Sequence, residues 1–183
     1  MANLILITGG ARSGKSRTAL EAGERIGGRK LFVATCPLMD DEEMMRRIQR
    51  HKKERQQRDW DTVEEPHDIA AALRSSSAYD VRLVDCVTMW VNNLMYDAGR
   101  QGRQLDEEFI SERCAEILEA SSRLNGTVIF VTNEVGWGIV PENELARRFR
   151  DLVGHCNRLI AEQADKVILT VCGLPLFLKN GDM

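Results

Sequence analysis

The sequence predicts an open α/β fold around a mostly parallel sheet. Three observations carry that expectation: five short apolar runs of strand length, helical patterns alternating with them, and a glycine-rich turn directly behind the first run. The first run is Leu4–Thr8. The turn Gly9–Ser16 follows, and then an amphipathic pattern over Ser16–Ile26 in which Ala19, Leu20 and Ile26 give a helix its inward face. Leu31–Thr35 reads as the second strand. The spacing after it predicts a helix over Asp41–Arg58, with Asp40 as its cap and Glu43 three residues on. Ile69–Arg74 reads as a short helix, Val81–Asp85 as the third strand and Val87–Tyr96 as the next helix. Glu107–Leu124 is helical in pattern and Thr127–Thr132 reads as a buried parallel strand. A helix over Glu142–Gln163 opens with Pro141 in a favourable first-turn position and sets Leu145, Phe149, Leu152, Val153, Cys156, Leu159 and Ile160 on one core face. Val167–Cys172 closes the series, with right-handed crossovers as the default connection.

Composition narrows the classes of function. The 183 residues, 43% of them hydrophobic, suit one domain over 1–183 with a substantial core. A net charge of −3 argues against polyanion binding by the whole surface, and the few aromatics are not interleaved with basic residues, so no nucleic-acid partner is expected. Leu4–Ile7 is too short for a membrane span or a signal-peptide core, and a cytoplasmic location is expected. Five cysteines without a C-x-x-C pair read as reduced core residues, as at Cys114, Cys156 and Cys172. Cys36 and Cys86 follow strand ends and fall nearer the edge where ligands gather in such sheets. Gly99–Gln104 reads as a surface connection.

Gly9-Gly10-Ala11-Arg12-Ser13-Gly14-Lys15-Ser16 fits G-x-x-x-x-G-K-[ST] in the strand-then-helix setting the pattern requires. Such a loop turns backbone N–H groups onto phosphates, Lys15 reaches the outer phosphates, and the Ser16 hydroxyl suits Mg²⁺. A nucleoside triphosphate is the expected ligand. Asp85 closes its strand where a carboxylate can share that Mg²⁺ with Ser16; the alternative is a cap for the helix at Val87, and the two roles are compatible.

Arg46–Arg58 carries seven Lys or Arg residues and one acid within an otherwise acidic chain. A solvated helix face is the plain reading of such a run. Helical spacing, however, sets Arg47, His51 and Arg55 on one stripe, an imidazole between two guanidiniums suited to phosphate. A neutral imidazole can attack phosphorus and split one transfer into two through an N–P bond. His67 and His155 read as structural. Trp60, Trp90 and Trp137 fit either packing or a flat ligand surface. In Thr132–Gly138, Asn133 and Glu134 read equally as ligand contacts and as loop braces.

The strings Ile7–Ser16, Arg47-Ile48-Gln49-Arg50-His51, Trp60-Asp61-Thr62-Val63-Glu64 and Val131–Glu142 together resemble the bifunctional adenosylcobinamide kinase / adenosylcobinamide-phosphate guanylyltransferase family, over nearly the whole chain. The resemblance implies a three-layer, RecA-like P-loop NTPase of cobalamin assembly. Such an enzyme phosphorylates adenosylcobinamide with ATP or GTP, then transfers GMP from GTP to adenosylcobinamide phosphate. It implies that His51 is the guanylylated residue and that Gly9, Gly10, Ala11, Arg12, Ser13, Gly14, Lys15, Ser16, Thr35, Cys36, Pro37, Lys52, Lys53, Glu54, Arg55, Glu64 and Asp85 contact nucleotide. A homo-oligomer, a trimer, is implied in the same way. Asp85 and Arg50 stand where some members carry glutamate and histidine. The base of the kinase step is not legible in the sequence. Two other readings remain at this point: a small-molecule kinase in which the basic helix is only a lid, and a RecA-like nucleotide switch.

Overall fold

The computed structural model describes residues 1–37, 55 and 58–180. Seven strands form one sheet. In chain order the elements are β1 (Asn3–Thr8), α1 (Lys15–Ile26), β2 (Lys30–Ala34), β3 (Trp60–Glu64), α2 (Ile69–Arg74), β4 (Val81–Asp85), α3 (Val87–Arg100), α4 (Glu107–Ser122), β5 (Thr127–Val131), a 3-10 turn at Val135–Trp137, α5 (Glu144–Gln163), β6 (Lys166–Val171) and β7 (Leu174–Lys179). The strand order is β3-β2-β4-β5-β1-β6-β7, all parallel except the β6–β7 hairpin.

Alternation along the strands splits the core between the two faces of the sheet. Leu4, Leu6, Val128, Phe130 and Val84 face α2, α3, α4 and α5, whose buried side chains include Trp90, Ile110, Ile117, Leu152 and Ile160. Ile5, Ile7, Ile129, Val131 and Ile168 face α1 on the other side, together with Trp60. Three layers result, as expected. Arg82 crosses the expected pattern: it is fully buried within β4, donating from Nη2 to the Ser76 carbonyl at 2.6 Å and from Nη1 to the Asn125 carbonyl at 2.5 Å. It thereby ties the start of β4 to the turns after α2 and α4.

The register places the carboxyl end of each parallel strand at one edge. Glu64, Ala34, Asp85, Val131 and Ile7 pair in succession across β3, β2, β4, β5 and β1. Since neighbouring strands lie about 4.8 Å apart, Asp85 stands roughly 10 Å from the end of β1, with β5 between them.

Several expectations are corrected. Trp60–Glu64 is an edge strand, and Leu174–Lys179 is a second edge strand returning antiparallel from a Cys172-Gly173 turn with φ of 52° and 80°. Cys172 is consequently exposed, whereas Cys114 and Cys156 are buried as expected. Helix α5 starts at Glu144, capped by the Asn143 side chain, so Pro141 precedes the helix and Leu145 is exposed. Helix α3 runs one turn further than Tyr96, to Arg100. Of the basic helix expected over Asp41–Arg58, only Arg55, which is helical, and Arg58 fall among the described residues. Trp60 and Trp90 are buried core residues, while Trp137 is largely exposed.

Two helical glycines give opposite expectations for one substitution. A Cβ on Gly23 would lie 2.6 Å from the buried Trp60 ring, whereas one on Gly154 meets nothing within 4 Å. Alanine gains about 1 kcal/mol of helix propensity at either site. At Gly23 overpacking against a rigid indole costs about 1–3 kcal/mol. Urea unfolding of Gly154→Ala should therefore show a raised midpoint and Gly23→Ala a lowered one.

Candidate functional site

The glycine-rich loop is held from behind. A Cβ on Gly9 would come within 2.4 Å of the Thr170 carbonyl and 2.6 Å of Ser13 Oγ, so the loop can lie against the end of β6 only with glycine there. The Gly173 N–H then donates to the Ser13 carbonyl at 2.8 Å, fixing the loop to the hairpin turn. Gly14, with φ of 95°, precedes α1, and among the described residues no side chain caps that helix. Its first N–H groups are left for an anion, which the positive end of the helix dipole also favours.

Lys15 is buried at the first position of α1 and donates from Nζ to the Gly10 carbonyl at 3.0 Å. Burial pulls its pKa below the ordinary lysine value, and the charge of Asp85 partly offsets the shift. Ser16 is exposed on the first turn of α1, within the loop's mouth. Asp85 ends β4 at the same edge. It does not cap α3: Cys86 does, accepting from the Met89 N–H through Sγ at 3.4 Å. Burial pushes the Cys86 thiol up to about 12, so it stays protonated near neutrality. Ser16 and Asp85 each offer oxygen donors, the chemistry that a hard divalent cation prefers.

Thr35 leaves β2 fully buried. Its hydroxyl donates to the Cys86 carbonyl at 2.8 Å and accepts from the Cys86 N–H at 2.7 Å, locking the ends of β2 and β4 together. Asn93 on α3 donates to the Thr35 carbonyl at 2.8 Å and to the Pro66 carbonyl at 3.0 Å. Cys36 and Pro37 continue from this clamp, half-buried, and Glu64 is exposed at the end of β3. The Arg55 guanidinium stacks over the Phe32 ring of β2, 3.9 Å from its centroid. His51, Lys52, Lys53, Glu54 and Arg47 lie outside the described residues. His67 pairs with Asp97 at 2.9 Å, and His155 meets Ser111 at 2.8 Å, matching their structural reading.

The strand after the loop's partner adds residues whose roles the sequence left open. Glu134 accepts through Oε1 from the Thr8 hydroxyl, and its N–H donates to the Gly9 carbonyl at 3.2 Å. Thr170, Gly173 and Asn157 also support this region, yet lie 150 or so residues along the chain from it; the one local signal was the Cys-Gly pair, a two-residue hairpin turn. A concavity of about 510 Å³ between the end of α3 and the start of α5, lined in part by Met95, Arg103, Leu145 and Arg148, includes none of Gly9–Ser16 in its lining. The donor chemistry, rather than cavity size, makes Gly9–Ser16 the candidate site.

Fold and loop define a RecA-like P-loop NTPase. Solved structures share that fold: the flagellar accessory protein FlaH from Methanocaldococcus jannaschii (TM-score 0.54, 16% identity, 97% of this chain and 78% of that one) and an ATPase from a bacterial type III secretion system (TM-score 0.53, 11% identity, 96% and 56%). The family model described as cobinamide kinase / cobinamide phosphate guanyltransferase matches residues 5–178, and the chain belongs to that family. It is 44% identical to the bifunctional adenosylcobalamin biosynthesis protein CobP of Pseudomonas aeruginosa, over 96% of each chain. It is 41% and 39% identical to the CobU proteins of Salmonella typhimurium and Escherichia coli, over 96% of this chain and 99% of each relative.

Lys15 sets a pH-dependent stability. Its folded pKa lies below its unfolded value, so the unfolded state binds more protons between the two, and stability rises with pH through that window. Lys15→Met removes the buried charge. Without ligand it should melt higher than the parent protein near neutrality, and the gap should narrow as pH approaches 10.5; calorimetry across pH checks both points.

Proposed function

We propose that this chain catalyses both reactions named by its family: phosphorylation of cobinamide, as its adenosyl form, by ATP or GTP, and then transfer of GMP from GTP to the resulting phosphate. The family match over residues 5–178 carries the reading, and the phosphate loop with Lys15, Ser16 and Asp85 at one sheet edge supports it. The whole chain acts as one unit in this reading.

In the kinase step Gly9–Ser16 cradle the phosphates and Lys15 offsets charge on the transferred phosphoryl group, which is mainly positioning and electrostatics. Ser16 and Asp85 would hold Mg²⁺, which would supply positive charge to neutralise the phosphates. Thr35, Cys36, Pro37 and Glu64 complete the nucleotide contacts along the strand ends. Guanylyl transfer attacks the α-phosphorus rather than the γ-phosphorus, so the nucleotide takes two poses or two sites. His51, when neutral, displaces pyrophosphate from GTP, forming an N–P bond that the cobinamide phosphate then opens. Lys52, Lys53, Glu54, Arg55 and Arg47 serve that nucleotide. The chain works as a cytoplasmic homo-oligomer, a trimer, in the same reading. Among the described residues no helix is long and apolar enough to cross a membrane. The apolar row Leu174, Leu176 and Leu178 on edge strand β7 gives subunits something to cover.

Incubation with Mg²⁺ and GTP labelled at the α-phosphate should leave acid-labile, alkali-stable label on the protein, mapping to His51. His51→Ala should lose the label and guanylyl transfer while sparing most of the cobinamide phosphorylation. Bound GTP without covalent label would leave a plain kinase with a basic lid.

A further inference from the structure

Phosphorylating a hydroxyl requires a proton acceptor, and neither the cation Lys15 nor the hydroxyl of Ser16 can be one. Asp85 is committed to the metal in the reading above. Among the described residues, Glu134 is the carboxylate hydrogen-bonded beside the loop, to Thr8 through its side chain and to the Gly9 carbonyl through its N–H. It follows β5, the strand between β1 and β4, three residues beyond Val131, which pairs with both Ile7 and Asp85. Both hydrogen bonds to its carboxylate end on Oε1, from the Thr8 hydroxyl at 2.5 Å and more weakly from Asn157 Nδ2 at 3.4 Å. Among the described residues Oε2 has no hydrogen bond, nor is it among the buried polar atoms.

The support for that carboxylate is itself buried and connected. Asn157 accepts from the Thr132 hydroxyl at 2.6 Å and donates to the Asn133 carbonyl at 3.0 Å. Thr132 meets the Thr88 hydroxyl at 2.9 Å, and Thr88 accepts from the Asn133 N–H at 2.7 Å. Four elements, β1, β5, α3 and α5, thus fix one oxygen of Glu134. A merely solvated acid needs no such frame.

We propose that Glu134 is the catalytic base of the kinase step, a claim that rests on the kinase reading above. Oε2 takes the proton of the cobinamide hydroxyl as its oxygen bonds to the γ-phosphorus. The bond from that phosphorus to the β–γ bridging oxygen breaks, its electron pair leaves with the nucleoside diphosphate, and the Glu134 carboxyl returns its proton to water.

Two substitutions separate base from brace. Glu134→Gln keeps an acceptor for Thr8 and Asn157 but cannot take the proton; Thr8→Val removes the brace and keeps the carboxylate. General-base loss is worth roughly 10²–10⁴ in rate. Glu134→Gln should therefore lower the kinase kcat at least about 100-fold, keep the nucleotide Kd within about threefold, and lose the acid limb of the pH–rate profile. Guanylyl transfer to preformed cobinamide phosphate should fall far less. Thr8→Val should slow the kinase more mildly with the acid limb kept. A Glu134→Gln enzyme within a few-fold of the parent, an unchanged acid limb, or equal loss of nucleotide binding would overturn the assignment and leave Glu134 a brace. A parent protein that phosphorylates no cobinamide would instead overturn the functional reading.

Discussion

The site depends on the missing side chain at Gly9. With any Cβ there, the loop would collide with the Thr170 carbonyl and with Ser13, and could not lie on the end of β6. Because it does lie there, the Gly173 N–H reaches the Ser13 carbonyl and the Glu134 N–H reaches the Gly9 carbonyl. The loop is therefore clamped between the β6–β7 turn and the segment after β5. An anion meeting this loop finds donors already arranged, with little ordering left to do on binding. The hairpin, whose contact with the loop is made by the Gly173 backbone, is in this sense part of the site.

That dependence explains what the sequence could and could not disclose. Strands β1, β2, β4, β5 and β6 are buried on both faces and read as continuous apolar runs, so their positions were legible to within a residue. The two edge strands were not. In β3 only Trp60 is buried, and the Asp61-Thr62-Val63-Glu64 remainder has no apolar periodicity to detect. In β7 Pro175 interrupts the run and three leucines face outward, the opposite of a core pattern. The loop itself was legible because its chemistry demands a local string. Its supports were not, because Thr8, Thr170 and Asn157 reach it through tertiary contacts that leave no spacing in the chain. Asp85 was placed correctly at its strand end, but its capping alternative failed for a local reason: the cap of α3 falls one residue later, on the weakly accepting sulfur of Cys86.

Burial and charge pull against each other at Lys15. Desolvation disfavours the ammonium, while Asp85 favours it. Cys86 stays an uncharged thiol and so adds no second negative charge beside them. A triphosphate would supply the counter-charge this pocket lacks. The free protein thus carries a cost at Lys15 that an anionic ligand would relieve, which would turn a folding penalty into differential affinity for an anion.

Sheet order also bears on how one chain could serve two phosphorus centres. Along the edge the sequence of strands is β3, β2, β4, β5, β1. The segment that carries His51 leaves the sheet at Pro37, after β2, and returns at Arg58, before β3, where Arg55 rests on Phe32 and Arg58 pairs with Glu24 at 3.2 Å. Glu134 stands beyond β5, next to the phosphate loop. Asp85 on β4 separates the two. In the proposed reading the nucleophile belongs to the chain between β2 and β3 and the proton acceptor to the segment after β5, and β4 lies between β2 and β5 in the sheet order. Chemistry at the α-phosphorus and at the γ-phosphorus would then draw on different side chains while sharing one phosphate loop.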